Sequence, residues 1–209
     1  MVDYIKSSLK KIELIYCIIL FAILFAFSLL SFVVFPTADD ISVMLYNNDK
    51  GVSNIFDAFF MNHRSRADSI NFTFAHHMVR GLVPAQFSLL AHRITIFIMF
   101  WCFVASIWYF IKTISKYFFP LNSTIVVAIS LTIAFLSVNN AISPAQNFFW
   151  WSGVINYSLI FASILFLTSF ILELYNNDNI ARIGQVTRHG VSILLLIFIT
   201  GSQQGGGCY

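Results

Sequence analysis

Two adjacent carboxylates, Asp39 and Asp40, stand just beyond the first long apolar run, in the segment Pro36-Thr37-Ala38-Asp39-Asp40. Asp49 and Asp57 follow, so four of the nine acidic residues crowd into one stretch. A carboxylate near a low-dielectric surface has its charged form destabilised unless a cation or metal compensates. Such a group suits a general base or a ligand for a divalent metal. Helix capping competes with that reading, because Asp is favoured at the start of a helix.

Basic residues follow: His63-Arg64-Ser65-Arg66, His76-His77, Arg80 and His92-Arg93. Folded over a membrane surface, these residues, Arg64, Arg66 and Arg80 among them, would make a basic neighbourhood opposite the aspartates. Guanidinium forks bind phosphate oxygens bidentately, so a phosphate-bearing ligand is the natural expectation. The competing reading is snorkelling to lipid headgroups. Histidine-held zinc is not expected: there is no His-Glu-x-x-His, and adjacent histidines on a helix point about 100° apart. A divalent metal on Asp39 and Asp40 is the cofactor the pattern admits.

The third feature is the run from Ser143 to Tyr157, with Trp150, Trp151, Gly153, Asn156 and Tyr157. Paired tryptophans at the end of a span commonly form an aromatic belt. Gly153 and Asn156 could also hydrogen-bond a polar ligand while an indole face stacks on a sugar ring.

The elements that must position these residues are membrane helices. Hydrophobic residues make up 58% of the chain and charged ones 10%, with 24 phenylalanines. Soluble domains carry about 25% charged residues. Residues 14–35 hold no charge and would reach about 33 Å as a helix, enough for a hydrocarbon core of about 30 Å. Lysines precede this run, but its length and the weak cleavage site at Phe35-Pro36-Thr37 favour an uncleaved anchor over a signal peptide. Further spans are expected at 94–111, 124–142, 154–172 and 189–202. The fold expected is therefore an all-α, polytopic transmembrane helix bundle of about five spans. Residues 36–93 would form a long extracytoplasmic loop containing interfacial helices. The apolar stretch 70–90, broken by His76, His77, Arg80 and Pro84, would lie flat or re-enter.

Lys6, Lys10 and Lys11, then Lys112 and Lys116, then Arg182 and Arg188 all fall on one side of such a bundle, as the positive-inside rule requires. The N-terminus is expected to be cytoplasmic. The acidic segment and the tryptophan segment then share the opposite face. The net charge of +3 is scattered and gives no nucleic-acid signal. Cys17, Cys102 and Cys208 have no metal-type spacing.

An acidic pair after the first span, an arginine in the following loop, and Trp-x-x-Gly-x-x-Asn-Tyr after a later span form an ordered set. This set resembles the polytopic bacterial membrane proteins related to O-antigen-modifying glucosyltransferases, of the GT-C class. The matching residues are Asp39-Asp40, Arg66 (or Arg64), and Trp150 or Trp151 with Gly153, Asn156 and Tyr157. The resemblance covers residues 10 to about 175. It implies a sugar donor carried on polyprenyl phosphate and a cell-surface glycan as acceptor. Asp39 or Asp40 would deprotonate the acceptor hydroxyl or hold a metal, and the arginines would hold the donor phosphate. The implied location is the bacterial cytoplasmic membrane. Members of that family are longer than 209 residues and carry more spans, so an N-terminal fragment, inactive by itself, is expected. The tail from Gly201 to Tyr209 reads as the end of an interrupted span.

The alternative from another class is a non-enzymatic membrane protein, a transporter subunit or assembly partner. A transporter places charges within its spans. These spans hold none, with Glu173 just past the fourth, which favours a site at the membrane surface.

Overall fold

Helix α1 (Val2–Ser28) begins well before the apolar run and carries Lys10 and Lys11 on its first turns. It tightens into a 3₁₀ turn at Leu29–Phe32 and stops short of Pro36, which disfavours helical geometry in the residue before it. The computed structural model describes residues 2–52, 57, 79, 81–176 and 182–202. Helix α2 (Ala38–Asp49) starts with Asp39 and Asp40 in its first turn, where acidic groups complement the helix dipole. It closes at Gly51, whose φ of +66° is a left-handed conformation that glycine adopts without a Cβ penalty.

After a 3₁₀ turn at Pro84–Gln86, Ser88 caps α3 (Leu89–Tyr117) by accepting from the Ala91 N–H at 2.9 Å. Asn122 caps α4 (Ser123–Asn139) in the same way, through the Ile125 N–H. Short α5 (Pro144–Phe149) has proline in its first turn, where the missing N–H costs nothing. Helix α6 (Trp151–Asn176) follows, with a π-helical stretch at Val154–Leu159, and then α7 (Arg182–Ser202). Among the described residues there is no strand.

Among the described residues three helical segments are long and apolar enough to cross a membrane: Leu9–Phe32, Leu89–Tyr117 and Trp151–Asn176. Ser123–Asn139 and Val186–Thr200 are apolar but shorter. At 1.5 Å per residue, α4 reaches about 26 Å, less than a typical hydrocarbon core. Each of the five expected spans thus has a helix, and three of them have full crossing length. Helix α6, at the fourth expected span, also runs past the expected end at 172, so Glu173 lies inside it rather than beyond it.

Helix α3 packs against α6 and α4, α4 against α1, and α6 against α7. Ring contacts fix the directions. Phe21 meets Trp101 while Phe32 meets Phe97, so α1 and α3 are antiparallel. Phe103 meets Phe161 and Tyr109 meets Phe170, so α3 and α6 run the same way. The Cys17 thiol donates to the Thr124 carbonyl, joining the middle of α1 to the first turn of α4.

In lipid, helices associate by close packing rather than by hiding apolar surface from water. The core accordingly combines rings with small hydroxyl residues. Phe27, Phe100, Phe103, Phe148 and Phe149 form one aromatic cluster, with Phe27 and Phe149 centroids 5.0 Å apart. Buried Ser130, Ser163 and Ser169 each return their O–H to the carbonyl four residues earlier. That satisfies the hydroxyl and leaves a small side chain at the helix contact.

The alternation of directions sorts the chain by end. Lys112, Lys116 and Arg188 gather at the end where α1 begins. Helix α2, the Pro84–Gln86 turn, His92, α5 and the start of α6 gather at the other.

Candidate functional site

Asp40 is fully buried, whereas its neighbour Asp39 is exposed. This split follows from the turn of α2 that carries them: adjacent helical residues point about 100° apart. One carboxylate oxygen of Asp40, Oδ2, accepts the Thr37 N–H at 3.1 Å, the reach-back of a capping box. The other, Oδ1, accepts both the Ser152 N–H at 3.2 Å and the Ser152 hydroxyl at 2.9 Å. The first bond is local; the second pair crosses 112 positions of sequence. Asp40 therefore caps its own helix and fastens it to the start of α6.

Ser152 can be reached because the chain folds tightly there. Trp150 is extended between α5 and α6, and the Val154 N–H returns to the Trp150 carbonyl at 2.7 Å. Gly153 lies against the Gln146 backbone so closely that an added Cβ would stand 1.9 Å from its carbonyl oxygen. The glycine of the Trp-x-x-Gly pattern thus has a packing reason.

The two tryptophans part company. Trp151 is buried in the aromatic core, so its indole face is not presented as a stacking platform. Trp150 is partly exposed at 37% and lines a cavity of about 460 Å³ with Leu30, Val34, Phe35, Pro144 and Phe149. Asn156 is half-buried within the π-helical stretch. Tyr157 is exposed and lines a separate groove of about 210 Å³ with Phe103, Asn147 and Phe161. Trp150 and Tyr157 therefore do not face one ligand space.

His92 is fully buried, and among the described residues neither ring nitrogen has a hydrogen-bond partner. It lies near enough to Asp40 to feel its charge. A buried imidazole with no partner among the described residues marks a place where a polar group could be received. Next to it, the Arg93 Nε–H donates to the Val34 carbonyl at 3.3 Å, and its guanidinium lies 5.3 Å from the Phe35 ring centre. Arg93 so bridges α3 to the chain leaving α1.

Arg64, Arg66 and Arg80, the expected phosphate-holding residues, lie outside the described residues. The two ends of their loop are described, and a side-chain amide pair ties them together. Buried Asn47 donates to the Gly81 carbonyl at 3.0 Å and to Gln86 Oε1 at 2.8 Å, and Gln86 donates to the Val52 carbonyl. Among the described residues no three His, Cys, Asp or Glu side chains gather as a metal site would require.

The sequence alone pointed to Asp40 but not to its partner. Ser152 is a small hydroxyl between a tryptophan and a glycine, a quiet signal that became legible only once α2 was seen against it. His92 stood in the basic stretch as a cation candidate, and its position is instead interior. No family model, no curated protein and no solved structure matches this chain.

Proposed function

We propose that the chain is a glycosyltransferase-like integral membrane protein of the GT-C kind. It would move a sugar from a polyprenyl-phosphate donor to a surface glycan on the extracytoplasmic face of the bacterial cytoplasmic membrane. The observation that carries this reading is the Asp40–Ser152 pairing, which brings the acidic segment and the tryptophan segment together at one end of the bundle. In the reaction the acceptor oxygen attacks the anomeric carbon as the bond to the phosphate oxygen breaks. The hydroxyl proton passes to a carboxylate, and polyprenyl phosphate leaves. Asp39 is the exposed member of the acidic pair and is assigned the proton, with Asp40 as the positioning residue that holds α2 in place. Arg64 and Arg66 hold the donor phosphate, and Trp150 offers the exposed indole.

Transfer from a radiolabelled polyprenyl-phosphate sugar, with the chain or a longer form that contains it reconstituted in liposomes holding lipid-linked glycan, tests this. Loss of general-base assistance in Asp39→Asn is expected to slow transfer about 10²- to 10⁴-fold. An unchanged rate would take the base role from Asp39.

A second reading is a non-enzymatic membrane protein, a transporter subunit or assembly partner. It is favoured by the commitment of both Asp40 oxygens to protein donors, the arrangement of a structural latch. Absence of transfer by the wild-type chain and by any longer form that contains it, with donor and acceptor both shown to be present, would favour it.

A further inference from the structure

At the basic end of the bundle, opposite Asp40, α3 and α4 enclose a groove of about 610 Å³. Lys112 and Lys116 stand one helical turn apart on its α3 side, both exposed. Trp108, Val126 and Val127 supply an apolar wall, and Ser123 lies at the opening turn of α4. Lys112 lies 4.8 Å from the Trp108 ring centre and Lys116 lies 4.7 Å from that of Tyr117, so each ammonium is held by a ring. Among the described residues neither lysine has a carboxylate partner. The acid that lines the groove, Glu173, is already taken by Arg188 at 3.0 Å and by the Tyr109 hydroxyl at 2.9 Å.

We infer that this groove seats an anionic phospholipid, with its phosphate between Lys112 and Lys116 and an acyl chain along Trp108, Val126 and Val127. Charge complementarity selects the head: two cations without acids, beside amides of the α4 first turn that also favour an anion. The helices that flank the groove place it in reach of lipid, since Leu89–Tyr117 is long and apolar enough to cross a membrane and Lys112 lies in its last turns. The apolar wall selects a lipid over a soluble phosphate. This assignment is independent of the transferase reading, because it involves the other end of the molecule.

The experiment is native mass spectrometry of the full chain released from nanodiscs of mixed phosphatidylglycerol and phosphatidylcholine. The wild type is expected to retain phosphatidylglycerol preferentially. Lys112→Gln with Lys116→Gln should reduce that preference about thirtyfold, the order expected of two basic residues facing an anionic headgroup. Lys112→Arg with Lys116→Arg should keep it. Lys10→Gln with Lys11→Gln removes the same charge from the same end without touching the groove, and should also keep it. Val127→Phe, which fills the apolar wall but spares both cations, should lose the lipid. Equal losses in the two double glutamine variants would overturn the site. So would displacement of the lipid by excess inorganic phosphate, which would show an anion site indifferent to the acyl chain. Thermal midpoints of all variants, taken in detergent without added lipid, separate binding loss from unfolding.

Discussion

Gly153 and Gln146 approach so closely that no other residue fits: the nearest atom to a Cβ on Gly153 would be a backbone oxygen, 1.9 Å away. Because that atom is backbone, a larger residue would have to move α5 or the start of α6. Ser152 is the residue just before Gly153, so the same contact sets where the Asp40 latch closes. Packing in the Trp-Ser-Gly turn and burial of Asp40 are one feature seen from two sides.

Gly153→Ala is therefore expected to destabilise the protein by about 2 kcal/mol or more, as overpacking of a tight contact does. Gly190→Ala is the control. Nothing lies within 4 Å of a Cβ there, and alanine is favoured over glycine in a helix by about 1 kcal/mol. Thermal midpoints in detergent should fall for the first and hold or rise for the second. Equal behaviour of the two would show that the α5–α6 corner is looser than its geometry indicates.

The latch itself is open to a double-mutant cycle. Asp40→Asn keeps an acceptor for the Thr37 N–H but removes the charge from the bond to Ser152, and Ser152→Ala removes the hydroxyl alone. Hydrogen bonds to charged groups contribute about 1.5–3 kcal/mol, so the two losses should overlap by roughly that amount. Denaturation of the single and double variants measures the overlap. Strict additivity would leave Asp40 as a helix cap with no tie to α6.

How far the sequence discloses this molecule depends on the kind of signal. The apolar runs were legible because a lipid-facing helix needs long, charge-free stretches, and every expected span has a helix. Their lengths were less legible, since caps rather than hydropathy end helices. Asn122 and Asn140 cap α4, leaving it shorter than the expected 124–142 span implies for a full crossing. Asp39 and Asp40 stood out as a pair, but which one is buried depends on α2's rotation about its axis. Trp150 and Trp151 were indistinguishable for the same reason. The Asn47–Gln86 tie was not legible at all, because amides across a loop carry no periodic pattern.

Orientation is tested by thiol labelling. With Cys17, Cys102 and Cys208 replaced, Asn48→Cys and Ser143→Cys should react with an impermeant reagent added to intact cells. Ser123→Cys, at the opposite end of the bundle, should react only after permeabilisation. Labelling of Ser123→Cys from outside would invert the topology and place the Asp40 end in the cytoplasm.

The opposite end offers the clearest energetic test, because Glu173 there has two defined partners. Glu173 is nearly buried within α6, and its carboxylate meets both the Arg188 guanidinium and the Tyr109 hydroxyl through Oε2. Three helices, α3, α6 and α7, are thus joined at one oxygen. Removing a cation from a buried pair leaves an uncompensated charge, whereas removing both partners does not. Arg188 is itself about one-third exposed, at 30%, so solvent softens the penalty below that of a fully buried pair. Arg188→Ala is expected to cost about 1–3 kcal/mol, and Tyr109→Phe about 1 kcal/mol, the worth of one hydrogen bond. Glu173→Gln combined with Arg188→Ala should recover part of the loss, since the amide needs no counter-charge. The measurement is the thermal midpoint of each variant in neutral detergent at low and high salt, with the Arg188→Ala deficit shrinking in the double variant. A double variant less stable than Arg188→Ala would show that α7 docks through packing along Val186–Thr200 rather than through this ion pair.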